Sequence, residues 1–127
     1  MGFETVMGKI VVIFFISLLC SCTATNSFLI FNDTDKNVSV TVHFAVESPD
    51  KDDTFNLQPN QSEFWMYEQS AFASDTLYPQ IESIKIVTKN NCEVVLKRTE
   101  LEKIAKKEDD EWQWILDINE NLLDACD

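Results

Sequence analysis

Residues 37–46, NVSVTVHFAV, alternate so strictly that they suit only one backbone conformation. Val38, Val40, Val42, Phe44 and Val46 fall on one face of an extended chain, and Ser39, Thr41 and His43 fall on the other. A period of two is the side-chain period of a β-strand, and an apolar face this long needs a second layer to bury it. Shorter runs of the same kind occupy residues 27–32, 54–57, 63–68, 81–88, 93–97 and 112–118, with 81–88 and 93–97 reading as a hairpin. Between the last two runs, Thr99-Glu100-Leu101-Glu102 has capping-box spacing, and Leu101, Ile104 and Ala105 follow at helical spacing. The expected helix has Thr99 as its N-cap and ends near Lys106-Lys107, where cations suit the helix dipole. Residues 119–125 read as one last helical turn. The pattern predicts a mainly β fold: a single β-sandwich, or a small barrel, of about seven strands with one short crossover helix.

The turns of this fold have to be made without glycine. Gly2 and Gly8 are the only glycines, and both lie in the first eight residues. Backbone with positive φ then falls to Asn or Asp, the next most tolerant residues, and the chain offers Asn32-Asp33, Asn60 and Asn90-Asn91. The same absence excludes a Gly-rich phosphate loop, a dinucleotide fingerprint and a nucleophile elbow, each of which needs glycine for close backbone approach or for positive φ.

The N-terminal segment carries the address. Residues 10–19 are continuously apolar, preceded by Lys9 and followed by small residues, the order of a secretory signal. They amount to about half of the roughly 20 residues that span a bilayer. The run ends in Leu19-Cys20-Ser21-Cys22, which resembles the lipobox of bacterial lipoproteins: an aliphatic residue three positions before a cysteine and a small residue directly before it. The resemblance implies cleavage after Ser21 and acylation of Cys22, which becomes the new N-terminus. Cys20 fits less well, since bulky Leu19 precedes it. Two or more acyl chains hold a protein stably at a membrane, where a single chain gives reversible binding. The implied organisation is a signal peptide over 1–21, a lipidated N-terminus and polar tether over 22–26, and a β domain over 27–127. Met7-Gly8-Lys9 would be a cleaner start than Met1, whose n-region contains Glu4. Thr23, rather than an Asp, follows Cys22, which by the same resemblance favours the outer membrane. In outline the strand pattern also looks like the immunoglobulin-like sandwiches of small envelope lipoproteins.

Charge and cysteines narrow the partners. The net charge is −12, and it stays so after removal of residues 1–21, which hold one acid and one base. Nucleic acid and anionic headgroups would both be repelled. With Cys20 removed and Cys22 lipidated, Cys92 and Cys126 remain, and in an exported chain an isolated pair most simply forms a disulfide. Closing a loop of about 34 residues contributes roughly 3–4 kcal/mol in the chain-entropy account. His43, the single histidine, sits on the polar face of its strand, not placed to activate a thiol.

Four constellations invite a functional reading. Asp33, Asp35 and Asn37 match the opening ligands of a calcium loop, but Val38 and Phe44 stand where glycine and glutamate are needed, so an Asx-rich hairpin turn is expected. In EFWMYE (63–68) both faces are apolar; Trp65 and Tyr67 are the candidates to face outward as a stacking platform for sugar rings, with Phe64 and Met66 on the core side. Trp112 and Trp114 are further aromatic candidates for such a platform, but they belong to the expected core face of the last strand. Asp52-Asp53 and Asp109-Asp110-Glu111 read as solvated turns. Asp75-Thr76-Leu77 resembles a short bacterial O-glycosylation motif. No catalytic, cofactor or metal constellation is evident. The expectation is a non-catalytic, membrane-anchored lipoprotein that acts through protein contacts as a small accessory or subunit of an envelope complex; the alternative is a glycan-binding module using Trp65 and Tyr67.

Overall fold

A computed structural model describes residues 23–70, 76–108 and 113–126. The chain forms a β-sandwich of two four-stranded sheets. Its elements are β1 (Thr23–Asn32), β2 (Val38–Phe44), β3 (Asp53–Leu57), β4 (Ser62–Ser70), β5 (Ile81–Thr88), β6 (Glu93–Lys97), helix α1 (Arg98–Ile104), β7 (Lys106–Glu108) and β8 (Gln113–Ile118), followed by a 3-10 turn, Asp124–Cys126. The first sheet runs β4-β1-β8-β7 and the second β3-β2-β5-β6. Neither sheet closes on itself, so the architecture is a sandwich and not a barrel. Within the first sheet β1 and β8 are parallel, and all other strand pairs are antiparallel.

The alternation in β2 is realised as expected: Val38, Val40, Val42 and Phe44 are buried and the residues between them are half-buried. Their partners across the core are Phe28 and Ile30 of β1 and Leu116 and Ile118 of β8, with Ile84 and Ile86 of β5 completing the second sheet's inner face. Dry packing between two inner faces is the main source of stability in such a sandwich. The register of β2 on β5 shifts between His43 and Phe44. Strand pairing ends just beyond the shift, at Phe44↔Ile81, and Val46, expected on the buried face, is 97% exposed.

Three local expectations need correction. β1 begins at Thr23, so residues 23–26, expected as a tether, pair with β4 from Thr23↔Ser70 onward. β1 and β2 lie in different sheets, so residues 33–37 form a crossing between layers and not a hairpin turn. Helix α1 has Lys97 as its N-cap, without a side-chain cap, and Thr99 sits inside the first turn. The reason is Arg98. Its guanidinium donates to the carbonyls of Leu77 (2.7 Å), Tyr78 (2.7 Å) and Ile81 (3.1 Å), and Nε bonds Glu102 (2.9 Å). These tertiary bonds start the helix directly from β6, overriding the local capping signal. The helix also ends early, at Ile104, and Lys106 and Lys107 belong to β7, an eighth strand that the sequence pattern does not reveal.

Asparagine does supply the tight turns. Asn60 (φ 65°) and Asn91 (φ 57°) adopt the left-handed conformation. Cys92, in the β5–β6 connection, is bonded to Cys126, after β8, with the Cα atoms 5.5 Å apart. The disulfide thus ties a hairpin of the second sheet to the end of the first.

Candidate functional surface

The register of β4 on β1 decides what the protein shows to its surroundings. Phe28 stands opposite Trp65, and Leu29 opposite Phe64. Because Phe28 is fully buried, Trp65 must point inward with it; the two rings stack at 6.2 Å, and Trp65 also meets Phe55 at 5.5 Å. Tyr67 points the same way, is 7% exposed, and donates its hydroxyl to the Thr76 carbonyl at 3.0 Å. Trp65 and Tyr67 therefore do not form the outward platform expected of them. The outward pair is the one assigned to the core: Phe64 is 58% and Met66 67% exposed. Phe64 continues through half-buried Leu29 to half-buried Ile115, an apolar stripe across the outer face of the first sheet that ends at exposed Lys106 on β7. β4 is also a sheet edge, with β1 as its one neighbour among the described residues.

A second cluster lies where β2 ends. Asp52 accepts from His43 Nδ1 at 2.8 Å through one oxygen and from the Phe44 N–H at 3.0 Å through the other. The hydrogen bond from His43, then that from Phe44, holds the Asp52 carboxyl below the usual aspartate range. Two residues earlier, Asp50 accepts from the Tyr78 hydroxyl. Burial, reinforced by the Asp50 carboxylate, pushes the Tyr78 phenol well up from its ordinary value. Tyr78 is itself wedged edge-on against Tyr67 (4.5 Å) and Phe44 (5.7 Å). The chemistry available to an Asp–His pair is proton transfer. Here both side chains lie open to solvent on the flank of the sandwich, and the contacts they make tie the 49–53 loop to β2.

The crossing after β1 is built on Asn32, which is fully buried. Its Nδ2 donates to Lys36 O (2.8 Å) and Leu57 O (3.0 Å), and its Oδ1 accepts from the Thr34 N–H (3.1 Å) and hydroxyl (2.7 Å). This is an Asx turn with every side-chain valence used. Asp33 and Asp35 are exposed beside it, and among the described residues no three His, Cys, Asp or Glu groups converge as a metal site. Next to the crossing, near the disulfide, is a cavity of about 390 Å³ lined by Lys36, Asn37, Thr88 and Lys89. The Thr88 hydroxyl is buried without a hydrogen-bond partner.

Of the other sequence-derived sites, Cys20, Ser21, Cys22, Asp75 and residues 109–112 lie outside the described residues; Thr76 is exposed. Trp114 packs against the core, and Leu116 and Ile118 are buried in it. Sequence reasoning did not single out Arg98 or the Asp50–Tyr78 bond, whose partners are distant along the chain. Comparison with protein-family models, with curated proteins and with solved structures gives no match.

Proposed function

We propose that this chain is an exported, lipid-anchored protein of the bacterial envelope that is not an enzyme and works through protein contacts, as a small subunit or accessory of a larger assembly. The observation that carries the proposal is the sequence Leu19-Cys20-Ser21-Cys22 at the end of a short apolar run. Two structural facts support it. The Cys92–Cys126 disulfide suits an oxidising compartment outside the cytoplasm. The exposed Phe64 and Met66, joined to Leu29 and Ile115, provide the kind of apolar patch that marks contact surfaces. The expected glycan platform loses its residues, because Trp65 and Tyr67 face the core.

The test is metabolic labelling of the full chain with a radioactive fatty acid in a bacterial host, followed by membrane fractionation. The expected result is label on the wild-type chain and recovery with the outer membrane, both lost in Cys22→Ser. Retention of label in Cys22→Ser, or a wild-type chain that is never labelled, refutes the anchor. Crosslinking of the labelled protein in cells, with mass spectrometry of what is captured, then identifies the assembly.

A further inference from the structure

We infer that the region of the sandwich beside the disulfide is a binding site for an oligosaccharide that carries a carboxylate. The site involves neither the lipid anchor nor the outer face of the first sheet, so it goes beyond the function proposed above. Two cavities, of about 390 and 500 Å³, adjoin there and share Asn37, Thr88 and Lys89 in their walls. Both volumes fall in the ordinary range for small-molecule sites. The first lies beside the crossing after β1 and adds Lys36 and Asn90. The second extends along β2 and β3 and adds Ser39, Asn56, Gln58 and Asn91.

The chemistry of these walls departs from that of the chain as a whole. The net charge is −12, yet among the described residues lining the two cavities there are two lysines, Lys36 and Lys89, and a single carboxylate, Asp35. The remaining polar groups are mostly carboxamides. Elsewhere Asn32, Gln61 and Asn119 use theirs to bond backbone groups of the fold. The side chains of Asn37, Asn56, Gln58, Asn90 and Asn91 are exposed and make no hydrogen bond to the described residues. A carboxamide offers donors and an acceptor on one flat group, so several together can bond a run of sugar hydroxyls, each of which also donates and accepts. The Lys89 ammonium, which has no partner among the described residues, adds a charge-assisted bond to a carboxylate. Thr88 lines both cavities, and its buried hydroxyl has no partner in the fold. Buried oxygens without a partner are few in folded proteins, and a bound group is one reason for them. A peptide suits these walls less well, because its apolar side chains find little to bury against: Val38, Leu57 and Leu123 are at most 2% exposed, and Val87 is half-buried. A polyanion is repelled by the net charge, whereas a single carboxylate meets the two lysines at short range.

The test is binding of the full, disulfide-intact chain to an array of oligosaccharides, some bearing a glucuronate or galacturonate ring and some neutral, followed by nitrogen-15 NMR with the member bound best. The expected result is preferential retention on the uronate-bearing members. In solution, the side-chain NH2 signals of Asn37, Asn56, Gln58, Asn90 and Asn91 should shift, while that of Asn32, already donated to Lys36 O and Leu57 O, should not. Lys89→Gln is expected to weaken binding of the uronate about tenfold, the worth of one charge-assisted bond. Asn56→Ala combined with Gln58→Ala is expected to weaken binding of uronate-bearing and neutral members alike, and Lys103→Gln, exposed on α1, is the control that changes nothing. The side chains of Lys89, Asn56 and Gln58 bond nothing among the described residues, so the melting temperatures of these variants should match the wild type. Retention on no member of the array overturns the inference. So do shifts confined to another part of the sandwich, an equal response to acetate at the same concentration, or binding of acidic peptides at these residues in preference to the saccharides. None of these outcomes bears on fatty-acid labelling, so failure here is distinct from failure of the lipid anchor.

Discussion

Replacing Asn32 by alanine is expected to destabilise the fold more than any substitution of an exposed residue. Asn32 is fully buried between the layers, and its side chain satisfies the Thr34 N–H, the Thr34 hydroxyl, Lys36 O and Leu57 O. The Thr34 hydroxyl and Lys36 O retain a bond to one another at 3.1 Å, so two groups, the Thr34 N–H and Leu57 O, lose these bonds without such compensation. A buried group stripped of its partner costs about 1–3 kcal/mol, and the small void left by the amide adds to it, so the total is about 3–5 kcal/mol. For a domain whose whole stability is of order 5–15 kcal/mol, that is a large fraction. The assay is equilibrium urea unfolding of the disulfide-intact protein, followed by the fluorescence of Trp65 and Trp114, which pack against the core. The midpoint should fall with the slope unchanged. Asn32→Asp is the sharper variant. It removes both donors and places a buried carboxylate toward two carbonyls, which raises that group's folded pKa above its unfolded value. The variant is therefore relatively better tolerated at low pH, and its deficit grows as pH rises toward neutrality. An Asn32→Ala protein within about 1 kcal/mol of wild type would show that the crossing is held by something other than this side chain.

Reduction of Cys92–Cys126, or its replacement by two serines, should lower stability by roughly 3–4 kcal/mol while leaving native circular dichroism intact at low temperature; a smaller loss means the unfolded chain is already compact there. Arg98→Met keeps the aliphatic stem but orphans the carbonyls of Leu77, Tyr78 and Ile81, and should speed amide exchange across residues 76–82 and α1 more than across β2. Unchanged exchange there would dismiss the anchoring role. The Tyr78 phenol is raised in the fold, so its contribution is full below its ordinary pKa of 10.0 and is lost as pH climbs above it. Alkaline unfolding should accordingly be shallower in Tyr78→Phe. Asp52 is depressed in the fold, so its contribution is present above its ordinary 3.8 and fades as pH falls through the lower, folded value; in His43→Gln that acid limb should weaken.

Much of this architecture is legible in the chain. The alternation of β2, the β5–β6 hairpin, the left-handed turns at Asn60 and Asn91 and the Cys92–Cys126 bond all follow from local rules about period, turn chemistry and spare cysteines. The errors fall where two local readings compete. In 63–68 every position from Phe64 to Tyr67 is apolar, and in 27–32 Leu29 and Phe31 rival Phe28 and Ile30, so neither strand names its own inner face. At α1, a capping box competes with an arginine whose acceptors lie 17 to 21 residues earlier.

What residues 23–126 owe to sequence alone is therefore their strand content, the asparagine turns and the cross-link, since each depends on neighbours or on a count that the chain itself contains. The tertiary structure decided how the strands divide between two sheets, where α1 begins, and which side of β4 faces solvent. The last follows from register: pairing Phe28 with Trp65 buries one face of β4 and presents Phe64 and Met66 on the other, and a shift of a single residue would have exchanged them.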